Sequence, residues 1–186
     1  GALYRIVAAV ALERQMDLED GEALAAMAGA LDIRFEEDRV LVDGQDLAAV
    51  IRTEPVSRAA SQVAALGQVR DAIFDLQRSM RRAPGLVADG RDMGTVVFQD
   101  AKLKIFLDAS AEIRAQRRYN QLKNKGLDVS LRALLANLEE RDARDKARAV
   151  SPLVPAADAL IIDSTDLTIE EVLERVLSEV QSRQLI

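Results

Sequence analysis

Cysteine and histidine are both absent from the 186 residues of this chain. Without cysteine, disulfides, a thiolate nucleophile and cysteine-ligated metal sites are excluded. Without histidine, a Ser-His-Asp triad and a histidine-ligated zinc site are excluded as well. Any chemistry must therefore rest on Arg, Lys, Asp, Glu, Ser and Thr. The lack of cysteine also fits a reducing, cytoplasmic location, which we expect for this protein.

Aromatic residues and long apolar runs are scarce too. Aromatics make up 3% of the chain, so Leu, Val, Ile and Ala must fill the core. No stretch of eighteen uncharged apolar residues occurs, and no signal-peptide pattern opens the chain, so we expect no membrane partner. The chain starts at Gly1, directly inside a helical pattern, and we expect the natural N-terminus to lie upstream.

Charge is distributed unevenly along the chain. The net charge is −6, yet residues 114–148 carry ten Lys or Arg against five Asp or Glu. A basic segment on an acidic protein favours a focused anion site over a nucleic-acid surface, and aromatic residues scarcely interleave with the basic ones. A solvated, charged helix pair would explain the same composition.

Apolar spacing predicts an α/β fold. Short apolar runs in a helix-rich chain are typical of a parallel sheet covered on both faces. The predicted strands are 32–35, 40–42, 86–88, 103–107 and 160–162, of which the first two form a hairpin set between helices. The predicted helices are 2–14, 19–30, 56–82, one from Ser110 to Lys125, one after Ser130, and a last one that opens with the capping box Thr168–Glu171.

The run ADGRDMGT at 88–95 is the first candidate site. It follows a predicted strand, at the end where open α/β sheets place their ligands. Asp89 could hold Mg²⁺ through water, and Arg91 could clamp a phosphate with two hydrogen bonds. A polar turn with a local salt bridge is the structural alternative.

The predicted helix after Ser130 carries the second candidate site. Its apolar stripe at Leu131, Leu134, Leu135 and Leu138 continues, by the same spacing, into Arg141, Asp142, Asp145 and Arg148. The helix either runs beyond the core, or this face lines a cleft for an anionic, hydroxyl-bearing ligand.

A third candidate is the basic helix that ends before Gly126. Its cations are Arg114, Arg117, Arg118, Lys123 and Lys125. They could form a mobile lid that closes on phosphates, or a solvated helix whose cations favour its C-terminal end.

Four segments give this chain a specific resemblance. They are GALYR at its start, IRTEPVSRAASQVAALGQVR at 51–70, LVADGRDMGTVVFQDAKLKIFLDA at 86–109, and EERDARDKARAVSPLVPAADALIIDST at 139–165. These segments, in this order, closely resemble bacterial cytidylate kinases over essentially the whole chain.

The resemblance implies a P-loop nucleoside monophosphate kinase fold, three-layered around a parallel sheet. The core would comprise 1–18 and 60–186 with a lid at about 114–130, and 19–59 would be a small insertion, with a β-hairpin, that binds the monophosphate. The implied reaction transfers the γ-phosphoryl group of ATP to CMP or dCMP with Mg²⁺, giving CDP or dCDP in pyrimidine metabolism. The resemblance also suggests a cytoplasmic monomer.

The resemblance further assigns roles to individual residues. Arg5, Arg91 and Arg148 would grip the CMP phosphate, and Ser61, Arg70 and Asp92 would read the cytosine ring. Arg141 and Asp145 would bind the sugar, while Arg117 and Arg118 would reach the ATP phosphates from the lid. Asp89, Arg91, Arg117 and Arg118 form the expected catalytic group, and no residue is expected to bind metal directly.

One element of the family pattern is missing. No G-x-x-x-x-G-K-[ST] sequence occurs in the chain, so the loop that cradles ATP phosphates is not present in it. We expect that the chain as written is inactive and poorly stable alone, and that roughly 30–35 residues precede Gly1. The alternative is a CMP-binding module or inactive paralogue that lacks the loop by nature.

Overall fold

A computed structural model describes residues 1–36, 38–148 and 151–186. The helices in this part of the chain are α1 (Ala2–Glu13), α2 (Gly21–Ala30), α3 (Glu54–Val63), α4 (Gly67–Ser79), α5 (Ala111–Asn124), α6 (Leu131–Lys146) and α7 (Ile169–Ser182). The strands are β1 (Ile33–Glu36), β2 (Arg39–Val42), β3 (Gln45–Asp46), β4 (Ile105–Asp108) and β5 (Leu160–Asp163). A 3₁₀ turn occupies Val50–Arg52 and a π-helical turn Met93–Val97.

The chain divides into two compact units. The first comprises Gly1–Arg91 with Ala147–Pro152, and the second comprises Asp92–Lys146 with Leu153–Ile186. The predicted monophosphate-binding insertion, 19–59, lies wholly inside the first unit. Its assignment as a functional insertion stays a prediction.

Helix packing builds the first unit. α1 packs against α3, and α2 packs against α4. α1 is rich in alanine and buries most of its length, with Ile6 and Val7 fully enclosed. Asp20 caps α2 by accepting a hydrogen bond from the Ala23 N–H. These helices enclose one continuous apolar cluster that extends from α1 to α4.

The predicted hairpin is confirmed and gains a strand. β1 and β2 pair antiparallel, with Ile33 opposite Val42, as the sequence indicates. β2 also pairs with the two-residue β3, after a turn in which Gly44 has φ 83°. Sequence patterning missed β3 because two polar residues carry no alternation of apolar side chains.

The single long helix predicted at 56–82 is wrong. α3 ends at Val63 and α4 begins at Gly67, because Leu66 adopts extended backbone angles (φ −83°, ψ 121°). The Arg70 guanidinium donates to the Ala64 carbonyl over 3.0 Å, which satisfies a group that a continuous helix would have bonded itself. The apolar periodicity on both sides of the break conceals it from sequence reasoning.

A parallel strand pair organises the second unit. β4 and β5 pair in parallel, with Ile105 beside Leu160 and Asp108 beside Asp163. This confirms the α/β class and the parallel pairing predicted for 103–107 and 160–162. α5 follows β4 directly, and α7 follows β5 after a short loop.

The strand predicted at 86–88 is wrong. These residues have no regular structure, and Val87 is fully exposed. An apolar run becomes a strand only when a neighbour satisfies its backbone groups, and no strand pairs with 86–88 within the described ranges. Residues 88–95 therefore begin in a loop and lead into the π-helical turn.

Helix ends follow the sequence closely. Ser110 caps α5 by accepting from the Ile113 N–H, and Gly126 just beyond the helix has φ 75°. Thr168 and Glu171 form the predicted capping box of α7. None of the described helices is both long and apolar enough to cross a bilayer.

Candidate functional site

In the first unit, Arg5 joins three segments of chain. It projects from α1 and donates to the Ile51 carbonyl over 2.8 Å and to the Ser57 hydroxyl over 3.0 Å. Ser57 lies on α3, one helical turn before Ser61. A cation is therefore held against the start of α3, at a point where the sequence predicts a phosphate contact. The sequence did not single out Ser57, although its i, i+4 spacing from Ser61 is a signal.

Ser61 and Arg70 are both buried in the same unit. The Arg70 guanidinium lies 5.5 Å from the centre of the Tyr4 ring, in a cation–π contact. Tyr4 precedes Arg5 on α1, so the structure brings the surroundings of Arg5 and Arg70 together. A buried arginine held by an aromatic face and a carbonyl has a fixed direction, which suits the recognition of a planar ligand.

Asp89 and Arg91 lie in the loop before the π-helical turn. Asp89 is exposed, and its backbone carbonyl accepts from the Gly1 amino group over 3.4 Å. Arg91 is half-buried. An exposed carboxylate next to a half-buried arginine matches the polar character predicted for this run, although no strand precedes it.

Asp92 opens the second unit and is almost completely buried. Its backbone carbonyl accepts from the N–H groups of Val96 and Val97, which builds the π-helical turn. The buried hydroxyl oxygen of Thr95 has no hydrogen-bond partner among the described residues. π-helical turns are rare overall, but those that occur are often found at functional sites. A buried hydroxyl without a protein partner is a place where a water molecule or a ligand can complete the hydrogen bonding.

α6 brings Arg141 and Asp145 together, as predicted. The Arg141 Nε lies 3.8 Å from the Asp145 Oδ2, and the Asp145 side chain is only 1% exposed. The backbone carbonyl of Asp145 accepts from the Leu153 N–H. α6 ends at Lys146, so the prediction that Arg148 lies on the same helical face is wrong. Arg148 belongs to the first compact unit.

The two predicted lid arginines have different surroundings on α5. Arg117 donates to the Ser164 hydroxyl (3.1 Å) and carbonyl (2.6 Å), and to the Leu167 carbonyl (3.3 Å). Arg118 donates to the Gln121 side chain on its own helix. Arg117 thus ties α5 to the loop after β5, a contact that the sequence did not indicate.

Arg114 and Asp142 form a bidentate pair between α5 and α6. The two hydrogen bonds measure 3.1 and 2.5 Å, and the Arg114 Nε also donates to the Ala109 carbonyl. The hydrogen bonding that Arg114 donates to Asp142, helped by the negative charge of Asp142, raises the pKa of Arg114 above its usual range, although burial opposes this. The sequence placed both residues in charged runs without pairing them.

Among the described residues, no group of three or more carboxylates could form a metal cage. Magnesium usually binds through one or two carboxylates while keeping several waters. An exposed carboxylate such as that of Asp89 is of the kind that could meet a hydrated ion in that mode.

The sequence of this chain is similar to known proteins over most of its length. The family model described as cytidylate kinase matches residues 1–182. The cytidylate kinase of Klebsiella pneumoniae (strain 342) is 54% identical over 181 residues, which are 95% of this chain and 80% of the relative. The cytidylate kinase of Stutzerimonas stutzeri (strain A1501) is 56% identical, over 100% of this chain and 83% of the relative. That of Aeromonas salmonicida (strain A449) is 53% identical over 96% of this chain.

Proposed function

This chain belongs to the cytidylate kinase family, and we propose that its buried polar residues form the acceptor-nucleotide site of the family's reaction. The reaction transfers the γ-phosphoryl group of ATP to CMP or dCMP. The alternative of an inactive CMP-binding paralogue finds no support among relatives described as cytidylate kinases.

Burial is the observation that carries this proposal. The polar or charged side chains buried in the described part of the chain are Ser61, Arg70, Gln77, Asp92, Asp145 and Ser164. Four of these six, Ser61, Arg70, Asp92 and Asp145, are residues that the family resemblance assigns to the nucleotide. Burying a charged or polar group is costly unless hydrogen bonds or ion pairs compensate it, so buried polar side chains at the positions that the family resemblance assigns to the nucleotide support a built binding site there.

Base selection falls to Ser61, Arg70 and Asp92. A carboxylate and a hydroxyl can both accept from the exocyclic amine of cytosine, which uracil lacks. A uracil ring offers no amine to these buried acceptors, and a site built to bond a group that the analogue lacks is the strong means of rejecting it. The cation–π contact with Tyr4 fixes the direction of Arg70 before any ligand arrives.

The sugar and the phosphate are assigned to charged side chains. Asp145 suits a ribose or deoxyribose hydroxyl because its carboxylate can accept a hydrogen bond, and Arg141 holds it from one turn away. Arg5, Arg91 and Arg148 are the proposed phosphate ligands. Arginine suits this role because its planar group can donate two parallel hydrogen bonds to a phosphate.

On the donor side, Arg117 and Arg118 are the proposed contacts to the ATP phosphates. Their charge would offset the negative charge on the transferring group. Arg117 already donates to Ser164, so a phosphate would compete with those hydrogen bonds for its guanidinium. Bound Mg²⁺ would supply further charge neutralisation at the phosphates, and Asp89 is the proposed residue that meets it through water.

The wider organisation is part of the same proposal. Family membership implies the P-loop nucleoside monophosphate kinase fold, and the three-layer arrangement belongs to that expectation. We keep residues 19–59 as the monophosphate-binding insertion and about 114–130 as the lid. A cytoplasmic, monomeric protein with no nucleic-acid partner also stays a prediction.

Acceptor selectivity tests the base-reading residues. ADP formation is measured with CMP, dCMP, UMP and AMP, using protein expressed from the complete reading frame. Changing Asp92→Asn or Ser61→Ala should lower kcat/KM for CMP roughly tenfold to a hundredfold, and that for UMP less, because one hydrogen bond to the amine is lost. The preference for CMP over UMP should therefore shrink.

Matched substitutions control for nonspecific damage. Asp75→Asn and Ser79→Ala make the same chemical changes at exposed positions of α4 and should leave selectivity unchanged. If the unmodified protein does not prefer CMP and dCMP over UMP, the roles given to Ser61, Arg70 and Asp92 are wrong.

A further inference from the structure

The ion pair between Arg114 and Asp142 occupies a particular place in the second unit. Arg114 lies near the start of α5, and Asp142 lies near the end of α6. Because the beginning of one helix meets the end of the next, the two helices form an antiparallel hairpin joined by residues 125–130. The ion pair closes the open end of this hairpin.

The same guanidinium attaches the hairpin to the sheet. Its Nε donates to the carbonyl of Ala109 over 3.0 Å, and Ala109 follows directly after β4. All three guanidinium nitrogens are therefore used, two on Asp142 and one on the end of the strand. Both partners are largely shielded, with side chains 32% and 18% exposed.

Few side chains of α5 and α6 are fully buried. The buried residues of α6 are Leu134 and Asp145, and those of α5 are Ala115 and Leu122. Leu134 lies about two turns before Asp142, so its packing acts at a distance from the last turns of α6. The Arg114–Asp142 pair joins the last turns of α6 to α5 with two directed hydrogen bonds, beside the hydrogen bond from the Leu153 N–H to the Asp145 carbonyl.

Asp142 lies between Arg141 and Asp145 on α6, so the rotation of this helix about its own axis sets the direction of all three side chains. A helix with its side chains is about 10–12 Å wide, so a rotation of about 20° would move a side-chain atom by about 2 Å. Misplacement of about 1 Å in a reacting complex can cost about a hundredfold in rate. An interaction that fixes the rotation of α6 would therefore also fix the positions of Arg141 and Asp145, the residues proposed to bind the sugar.

We propose that Arg114 and Asp142 are positioning residues that orient Arg141 and Asp145 toward the sugar of the acceptor nucleotide. This inference rests on the sugar-binding role proposed above for Arg141 and Asp145. Neither Arg114 nor Asp142 touches the nucleotide in this scheme; they act through the direction of α6.

Steady-state kinetics with CMP and ATP test the inference. Arg114→Gln and Asp142→Asn should each raise KM for CMP about tenfold, while KM for ATP changes less than threefold, because only the acceptor's sugar site is turned. The double variant should be no worse than either single variant, since both changes remove the same contact. Arg114→Lys, which keeps the charge but loses the bidentate geometry, should fall between the parent and Arg114→Gln.

A neighbouring ion pair provides the control. Arg144 and Glu140 pair at 2.6 Å on the same helix, but they join no second element. Arg144→Gln should therefore leave both KM values unchanged. If Arg114→Gln does not fold, as judged by circular dichroism, Arg114→Lys and Asp142→Asn carry the test.

Asp145→Asn distinguishes a failure of the positioning role from a failure of the proposed sugar-binding role. If this change raises KM for CMP while Asp142→Asn does not, the positioning role is wrong and the sugar role stands. If Asp145→Asn leaves KM for CMP unchanged, the sugar role itself is wrong. Equal increases in KM for CMP and ATP in Asp142→Asn, or additive losses in the double variant, also overturn the inference.

Discussion

The first compact unit buries a continuous apolar cluster, whereas directed polar contacts are prominent among the described residues of the second. In the first unit, side chains from α1 to α4 enclose one another, and Ile6, Val7 and Val63 are fully buried. In the second unit α7 buries none of its described residues, and Leu107 and Ile161 on the strand pair are largely exposed. Arginine links do part of the work there that apolar packing does in the first unit.

This difference bears on how each unit presents its functional residues. Ser61 and Arg70 are surrounded by packed helices, so their positions follow from the core around them. Arg141 and Arg117 are oriented by ion pairs and by hydrogen bonds to loops. Polar contacts are weaker and more directional than a packed core, so the second unit should be the easier one to loosen.

The largest loss of stability should come from creating a cavity in the apolar cluster of the first unit. Ile6→Ala should lower the free energy of unfolding by about 2–5 kcal/mol, because it leaves a cavity in fully packed surroundings. The same change at Ile161, which is 61% exposed in the second unit, should cost about 0.5 kcal/mol or less. Urea denaturation of both variants measures the contrast, and equal losses would show that the two units are packed alike.

A smaller effect should follow from releasing the loop after β5. Arg117→Met removes the hydrogen bonds to Ser164 and Leu167, and should cost about 1 kcal/mol because the arginine is partly exposed to solvent. Amide hydrogen exchange should rise about fivefold at residues 164–167. The β1–β2 hairpin should exchange as before.

Arg132→Met offers a matched control for that experiment. It makes the same change at an exposed position of α6 and should leave exchange at residues 164–167 unaltered. Unchanged exchange in Arg117→Met would contradict the view that directed polar contacts hold this unit.

The smallest expected effect is an acid dependence. The hydroxyl and N–H of Thr165 donate to Asp163 and hold the pKa of its carboxyl below the usual value. A lowered pKa in the folded state adds stability above the unfolded pKa, near 3.9, and that stability is lost as pH falls below it. Asp163→Asn should therefore flatten the fall in unfolding midpoint between about pH 5 and pH 2.

Other carboxyls refine that comparison. Asp158 and Glu171 of the second unit also have lowered pKa values, caused first by hydrogen bonds from Lys104 and from the Thr168 N–H. In the first unit Asp46 has the same shift, which comes from the N–H groups of Ala48 and Val40. If Asp46→Asn flattens the acid profile more than Asp163→Asn does, acid sensitivity belongs to the first unit instead.

Local signals account for the parts of the fold that the sequence predicted well. Ser110, Gly126 and the Thr168–Glu171 pair lie within a few residues of the helix ends that they mark. The hairpin and the β4–β5 strands follow from short apolar runs. The predictions that failed, a strand at 86–88 and one helix over 56–82, each needed knowledge of a distant partner or of the backbone at Leu66.

The sequence by itself determined the kind of chemistry and the candidate residues. Its lack of histidine and cysteine leaves charge-based recognition, and its long motifs identify the residues proposed to meet the nucleotide. Tertiary structure decided which of these are buried and what holds them: Arg5 on Ser57, Arg114 on Asp142 and Arg117 on Ser164. These partners lie 28 to 52 residues apart. Local periodicity cannot pair them, because only the packing of whole elements brings such distant side chains within hydrogen-bonding distance.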